Sequence, residues 1–178
     1  MSTTPLRLIV MGVSGCGKST MAAALGQRLG LDMVDGDDLH APESVAKMRS
    51  GIALQDADRW PWLDRIGQYL SQPHAQGRVV ACSALKRAYR ERIRGLAAPV
   101  QFVFLDGSAE LIGQRMAMRS GHYMPPELLA SQFSALERPE ADEDDVIRLD
   151  ITRPVGQLLS EALAALQART SSPLHPAL

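Results

Sequence analysis

The sequence has few cysteines, almost no net charge and no long apolar run. With only two cysteines, Cys16 and Cys82, among 178 residues, a disulfide framework is excluded and a reducing cytoplasm is the expected location. The net charge of −1, from 19 basic and 20 acidic residues, argues against a nucleic-acid partner. No apolar run is long enough to span a membrane, and the N-terminal residues MSTTPLR lack the features of a secretory signal. We therefore expect a globular cytoplasmic protein without a nucleic-acid or membrane partner.

Short apolar runs alternate with helical patterns along the chain. The predicted strands are residues 6–11, 32–34, 78–82, 100–105 and 146–149. The predicted helices are residues 21–29, 58–69, 84–94, 109–119 and 155–168, with Asp58, Ser83 and Ser108 as N-caps. This alternation predicts one α/β domain over residues 1–178, with a parallel sheet covered on both faces. We expect the fold to span about residues 6–169 and the tail 170–178 to be loose.

The stretch MGVSGCGKST, residues 11–20, follows the first predicted strand directly. It fits the pattern G-x-x-x-x-G-K-[ST] of a P-loop, in which backbone N–H groups and the positive end of a helix bind phosphate. We expect Lys18 to reach the β- and γ-phosphates and the Ser19 hydroxyl to ligate Mg²⁺. An ordinary glycine-rich turn is the alternative, but the strand before and the helix after it disfavour that interpretation. The predicted nucleotide-binding residues are Gly12, Val13, Ser14, Gly15, Cys16, Gly17, Lys18, Ser19 and Thr20.

Two aspartates, Asp35 and Asp37, follow the second predicted strand in VDGDDLH. Ligands of open α/β sheets bind beyond the carboxyl ends of the strands, so these side chains are expected to face the P-loop. One carboxylate would hold the water shell of Mg²⁺ and the other would accept a proton from a substrate hydroxyl. Asp35 is closer to Ser19, so we assign it to the metal and Asp37 to the hydroxyl. The alternative is a polar turn in which both aspartates cap the backbone.

Basic residues lie both before and after the third predicted strand in the sequence. Lys86 and Arg90 lie four residues apart in CSALKRAYR, which predicts one helical face that holds a substrate anion. A solvated basic face is the alternative. Arg59, beside Trp60 in DRWPWL, is a candidate clamp because a guanidinium suits carboxylate recognition. The acidic run ERPEADEDD, residues 137–145, is expected to be a solvated loop.

After the fourth predicted strand, a helix carrying Arg115 and Arg119 is interrupted near Gly121 and His122. A mobile basic segment of this kind, about residues 115–130, would close over the nucleotide and bring cations to the transferred phosphoryl group. Two solvent-facing arginines before a kinked loop are the alternative.

Several motifs together resemble the small P-loop type of gluconate kinase, from about residue 8 to residue 155. They are GVSGCGKST, DGDDLH, KM-x-x-G with L-x-D-x-DR-x-PWL, CSALKRAYR, GHY and SQFSALERP. The resemblance implies a three-layer P-loop kinase fold with a five-stranded parallel sheet, helices on both faces and a mobile lid. It further implies that ATP and Mg²⁺ are used to phosphorylate the 6-hydroxyl of D-gluconate in the cytoplasm, and that the protein is a homodimer. Gluconate has no base to stack, in agreement with an aromatic content of 4%.

The resemblance also implies residue roles, which join those inferred above. The catalytic residues would be Lys18, Asp37 and Arg119, with Arg115 against the adenine and Ser19 and Asp35 at the metal. The substrate-binding residues would be Asp37, His40, Arg49, Arg59, Lys86, Arg90, His122 and Gln132. The basic residue that binds the gluconate carboxylate is left open.

Two other functions are compatible with a P-loop. The same scaffold phosphorylates other small hydroxy acids, such as shikimate, and nucleoside monophosphates. A nucleotide-dependent binding module is a non-enzymatic alternative. The version that reads guanine through Asn-Lys-x-Asp is excluded, because the sequence contains no asparagine.

Overall fold

The computed structural model describes residues 5–118 and 126–171. Its five strands are β1 Leu6–Met11, β2 Asp32–Asp35, β3 Gly77–Ala81, β4 Gln101–Asp106 and β5 Val146–Asp150. They form one sheet in the order β2-β3-β1-β4-β5, and every neighbouring pair is parallel. The predicted five-stranded parallel sheet is therefore confirmed, with strand bounds within one residue of those expected.

Helices connect the strands. They are α1 Lys18–Leu29, α2 Pro42–Arg49, α3 Asp56–Ser71, α4 Arg87–Ala97, α5 Ala109–Ala117, α6 Pro126–Ala135 and α7 Val155–Ser171. A short 3₁₀ segment, Gly36–Leu39, follows β2 and is called the acidic turn below. The acidic turn and α2 were not predicted from the sequence. The predicted tail, residues 170–178, lies mostly outside the described residues.

Side chains of the central strand β1 alternate between two apolar layers. Leu8 and Val10 pack on one face with residues of α1, α5, α6 and α7. Ile9 and Met11 pack on the other face with residues of α3 and α4. Because both faces of β1 are covered, its sequence LRLIVM is a nearly continuous apolar run, as expected for a central parallel strand. The predicted three-layer arrangement is confirmed.

Helix starts differ from the predictions in three places, and α1 begins at Lys18, three residues before its predicted start. Helix α3 begins at Asp56 with Gln55 as its N-cap, and Asp58 accepts a hydrogen bond from the Gln55 N–H at 3.0 Å as the third residue of a capping box. Helix α4 begins after Lys86 instead of Ser83, because the preceding segment runs along the sheet edge, where the carbonyl of Ser83 accepts the Gly12 N–H at 3.3 Å.

The predicted N-cap of α5 is confirmed. The Ser108 hydroxyl accepts a hydrogen bond from the Leu111 N–H at 3.2 Å. This helix therefore leaves the carboxyl end of β4 at the position that the sequence predicts.

Candidate active site

The P-loop buries its two apolar side chains. Val13 and Cys16 are buried in the apolar layer beneath the loop. Burial raises the pKa of the Cys16 thiol, so this group stays protonated and unreactive. Gly17 has a φ of 101° and caps α1 without any side-chain hydrogen bond, and a Cβ there would meet no atom within 4 Å. The N-terminal end of α1 is therefore left open beside the loop.

Two predicted metal residues lie in direct contact. The Ser19 hydroxyl donates a hydrogen bond to Asp35 Oδ2 at 2.6 Å, and Asp35 Oδ1 accepts the Asp37 N–H at 3.0 Å. Lys18 Nζ folds back over the loop and donates to the carbonyl of Val13 at 3.1 Å. The structure thus brings the Ser19 hydroxyl of the P-loop together with Asp35 at the end of β2, 16 residues further along the chain.

The Asp37 side chain extends beyond the sheet and is 89% exposed. Desolvation by surrounding residues raises the pKa of Asp37, the charge of Asp35 raises it further, and His40 and Lys18 oppose the rise. Because so much of the Asp37 side chain contacts solvent, we attribute the raised pKa mainly to repulsion between the Asp35 and Asp37 carboxylates. Asp37 is thus a solvent-facing carboxylate next to the Ser19–Asp35 pair.

A second group of cations and polar side chains lies where α3 meets the start of α4. Lys86 Nζ lies 2.9 Å from both carboxylate oxygens of Asp56, and the Tyr89 hydroxyl donates to Asp56 Oδ1 at 2.5 Å. The guanidinium carbon of Arg59 lies 5.7 Å from the Tyr89 ring centroid, and Arg59 Nη2 donates to the Leu54 carbonyl at 3.3 Å. Arg59 Nε is buried and has no hydrogen-bond partner among the described residues.

Arg90 differs from the expectation. Its side chain is 0% exposed, and its Nη2 and Nε donate to the two carboxylate oxygens of Glu143 at 2.6 and 2.7 Å. Its Nη1 donates to the carbonyls of Ala84 and Leu85 at 3.2 Å each. The structure gives Arg90 a role in holding the fold, and this burial argues against the predicted substrate contact. Residues 137–145 are likewise not a fully solvated loop, because Glu143 is buried.

The helices at the two ends of the predicted lid both contact the P-loop. Met116 of α5 lies against Gly15, where a Cβ would come within 2.5 Å of the Met116 Sδ. Gln132 of α6 accepts the Ser14 N–H at 3.2 Å through its Oε1. Arg115 Nη2 donates to the Ile151 carbonyl at 2.5 Å, in the turn after β5. Residues 119–125 lie outside the described part of the chain, and with them the predicted Arg119 and His122.

Other predicted substrate residues lie around the acidic turn. His40 directly follows this turn and is nearly buried, whereas Arg49 is exposed in the last turn of α2 and pairs with no described residue. Trp62 is buried in the core and also binds the acidic turn, because its indole N–H donates to the Gly36 carbonyl at 2.6 Å. No local sequence signal reveals the contact of Asp56 with Tyr89, because 33 residues separate them.

The site has oxygen groups that suit a Mg²⁺ ion bound together with a nucleotide. No cluster of three or more His, Cys, Asp or Glu side chains able to hold a metal occurs among residues 5–118 and 126–171. Mg²⁺ commonly binds through one or two protein oxygens and takes its other ligands from water and phosphate. The Ser19 hydroxyl and the Asp35 carboxylate, beside an open helix N-terminus, fit that donor set.

A P-loop after β1, two carboxylates after β2 and a lysine after β3, all following the carboxyl ends of parallel strands, define a kinase of the P-loop type. A family model described as an AAA domain matches residues 8–139. The gluconokinase of Gluconobacter oxydans (strain 621H) is 44% identical over 170 residues, which cover 94% of this chain and 95% of that protein. The thermosensitive gluconokinase of Escherichia coli (strain K12) is 42% identical over 162 residues, with 90% and 87% covered.

A solved gluconokinase structure from Sinorhizobium meliloti 1021 superposes with a TM-score of 0.86 at 43% identity, covering 93% of this chain and 94% of that one. The chain belongs to the gluconokinase family, as its motifs predict.

Proposed function

We propose that this protein transfers the γ-phosphoryl group of ATP to the 6-hydroxyl of D-gluconate and releases 6-phospho-D-gluconate and ADP. The observation that carries the proposal is the position of the Asp37 carboxylate beside the Ser19–Asp35 pair. A carboxylate there would lie within reach of both the bound phosphates and an incoming hydroxyl. The relatives named gluconokinase supply the substrate.

The P-loop would hold the nucleotide. We infer that backbone N–H groups of residues 12–17 and the N-terminal end of α1 bind the phosphates, and that Lys18 leaves the Val13 carbonyl to contact them. Ser19 and, through water, Asp35 would hold Mg²⁺, which when bound neutralises charge on the phosphate oxygens. Arg115 would lie against the adenine near the turn that begins at Ile151. We keep Arg119 as the cation that meets the transferred group, as the resemblance implies.

Asp37 would orient the acceptor hydroxyl and take its proton. The substrate oxygen forms a bond to the γ-phosphorus, the bond from that phosphorus to the ADP oxygen breaks, and the hydroxyl proton passes to Asp37. Because the transition state of phosphoryl transfer is loose, orientation of the hydroxyl matters more than its early deprotonation.

Arg59 is the residue that we assign to the gluconate carboxylate. Lys86 is already paired with Asp56, and Lys47 with Asp58 at 2.6 Å. Arg59 has no carboxylate partner among the described residues and has a buried Nε without a hydrogen bond. A guanidinium in that state gains two charge-assisted hydrogen bonds from an incoming carboxylate. Lys86, Gln132, Arg49 and His122 remain proposed contacts for the substrate hydroxyls, whereas the His40 side chain, at 5% exposed, is too buried to be one.

We further propose that the protein is a cytoplasmic homodimer, as the resemblance implies. Among the described residues, no helix is both long enough and apolar enough to cross a membrane. Size-exclusion chromatography with light scattering tests the dimer: we expect about twice the mass of the 19.3 kDa chain.

A coupled assay of ADP release tests the proposed function. We expect release in the presence of ATP, Mg²⁺ and D-gluconate, and little release when gluconate is omitted or replaced by shikimate or a nucleoside monophosphate. A thermal-shift series with the same compounds provides a second readout, because a true ligand stabilises the folded state. ADP release that does not depend on any of these acceptors would reject the kinase assignment.

A further inference from the structure

The Asp37 carboxylate has no hydrogen-bond partner among residues 5–118 and 126–171. Its ion-pair contact there is with His40, whose Nε2 lies 4.0 Å from Asp37 Oδ1, which is beyond hydrogen-bond distance. Phosphoryl transfer depends strongly on how the reacting groups are positioned. The direction of Asp37 must therefore be set by the backbone of the acidic turn that carries it.

Helix α3 holds the acidic turn at both ends. Trp62 Nε1 donates to the Gly36 carbonyl at 2.6 Å, and Arg65 Nε donates to the Leu39 carbonyl at 2.5 Å. The two side chains lie three residues apart and so share one face of the helix. On its other side the turn is pressed against β3, because a Cβ on Gly36 would lie 2.6 Å from the Ala81 carbonyl oxygen. The turn is thus clamped between α3 and β3.

His40 completes this clamp by stacking on Trp62. The two rings are nearly parallel, at 12°, and their centroids lie 4.4 Å apart. The His40 side chain is 5% exposed, and its Nδ1 has no hydrogen-bond partner in the described part of the chain. Burial lowers the pKa of His40, against the opposing effect of Asp37, so the ring is neutral at pH 7. A neutral, buried ring serves packing better than ion pairing.

We propose that Trp62, together with Arg65 and the stacked His40, positions Asp37 for phosphoryl transfer. This inference rests on the proposed function. None of the three residues needs to touch the reacting atoms, because each acts through the backbone of the acidic turn. Loss of the Trp62 hydrogen bond should therefore lower kcat while the binding of both substrates is retained.

Trp62→Phe tests the inference, because it keeps an aromatic side chain and removes the N–H donor. We expect kcat to fall about tenfold or more, with KM for gluconate and Kd for MgATP changed less than about twofold. Leu70→Ala is the control. Leu70 lies two turns further along α3 in the same apolar cluster, so its truncation destabilises the fold. We expect that control to keep the wild-type kcat at a temperature where it is folded.

Arg65→Met and two variants of His40 keep the test decisive if Trp62→Phe does not fold. Arg65→Met removes the contact with Leu39 and should also lower kcat selectively. His40→Phe preserves stacking and should retain kcat, whereas His40→Ala should not.

Unchanged kcat in folded Trp62→Phe and Arg65→Met, or an equal fall in Leu70→Ala, would overturn the inference. So would a rise only in KM for gluconate in His40→Phe, which would make the imidazole a direct substrate contact. A wild-type protein that is inactive towards gluconate would instead reject the proposed function.

Discussion

At the scale of single residues, the site relies on a few side chains that the fold leaves without strong partners. Within residues 5–118 and 126–171, Lys18 Nζ has a hydrogen bond to the Val13 carbonyl alone, and Arg59 has no carboxylate partner. Lys86 and Arg90, by contrast, already have acidic partners. Because an unpaired cation gains more from a new anion than a paired one, these differences assign the binding roles better than charge alone does.

Lys18→Ala should remove most phosphoryl transfer and leave the fold intact. In the described part of the chain, the side chain makes one hydrogen bond, to the Val13 carbonyl at 3.1 Å, and it contributes little to the core. Loss of one electrostatic stabiliser of the transferred group typically lowers the rate about a hundredfold or more. Steady-state kinetics and thermal unfolding measure the two effects, with Arg28→Ala, an exposed cation at the other end of α1, as control. Near-normal turnover in folded Lys18→Ala would contradict the phosphate role.

The two aspartates after β2 should respond differently to magnesium. Asp37→Asn keeps size and hydrogen bonding but loses the proton acceptor, so turnover should fall by orders of magnitude while MgATP still binds. Asp35→Asn weakens the metal site and should be partly rescued when Mg²⁺ is raised. Turnover measured across a Mg²⁺ series separates the two. Rescue of Asp37→Asn by Mg²⁺ would mean that the two roles must be exchanged.

At the scale of elements, helices α5 and α6 connect the predicted lid to the phosphate site. Met116 contacts Gly15 and Gln132 contacts Ser14, so both helices touch consecutive residues of the P-loop. Arg115, which the resemblance assigns to the adenine, reaches the Ile151 carbonyl in the turn after β5. The two helices that border the predicted lid therefore both pack against the P-loop.

The two arginines of the predicted lid should affect different kinetic constants. Arg119→Ala should lower kcat more than it weakens ATP binding, if Arg119 meets charge that develops only in the transition state. Arg115→Ala should act mainly on KM for ATP, because Arg115 lies beside the turn proposed for the adenine. Full kinetics of both variants check this difference. A change confined to KM in both would contradict the role of Arg119.

Elements with a strong apolar signal could be predicted, and those defined by distant contacts could not. The strands were found because buried parallel strands give nearly continuous apolar runs. The acidic turn and α2 are short and polar, so no periodicity reveals them. The role of Arg90 was not predictable from its spacing to Lys86, because Lys86 is the N-cap of α4 and the partner of Arg90 is Glu143, 53 residues away.

At the scale of the whole molecule, the parallel sheet collects the site at one edge. The P-loop follows β1, Asp35 ends β2 and Lys86 follows β3, so segments far apart in sequence meet beyond the carboxyl ends of the strands. The predicted Lys18, Ser19 and Asp35 are brought together as the topology requires. Away from this edge, a buried ion pair between α4 and the segment before β5 holds the fold.

That ion pair should make the stability of the fold depend on pH. Hydrogen bonds from Arg90 and then Arg94 lower the pKa of Glu143 to about 2, below its value in the unfolded chain. Its contribution is therefore complete above the unfolded pKa, near 4.3, and is lost as the pH falls towards 2.

Glu143→Gln tests this dependence. The variant leaves Arg90 buried without its charge partner, so it should unfold about 3 kcal/mol more easily at pH 7. Its difference from the wild type should shrink as the pH is lowered below about 4. Urea unfolding across this pH range measures both effects, with Asp142→Asn, at an exposed ion pair, as a control that changes stability little. A difference that stays constant with pH would contradict the assignment.

The central claim is tested most directly by the phosphorus NMR spectrum of the product made from ATP, Mg²⁺ and D-gluconate. Transfer to the primary 6-hydroxyl places phosphorus on a CH₂ group, so the proton-coupled phosphomonoester signal should be a triplet that grows in step with the ADP signals. Asp37→Asn should produce it far more slowly at equal enzyme concentration. A doublet, which indicates a secondary hydroxyl, or a signal of inorganic phosphate alone would contradict the claim.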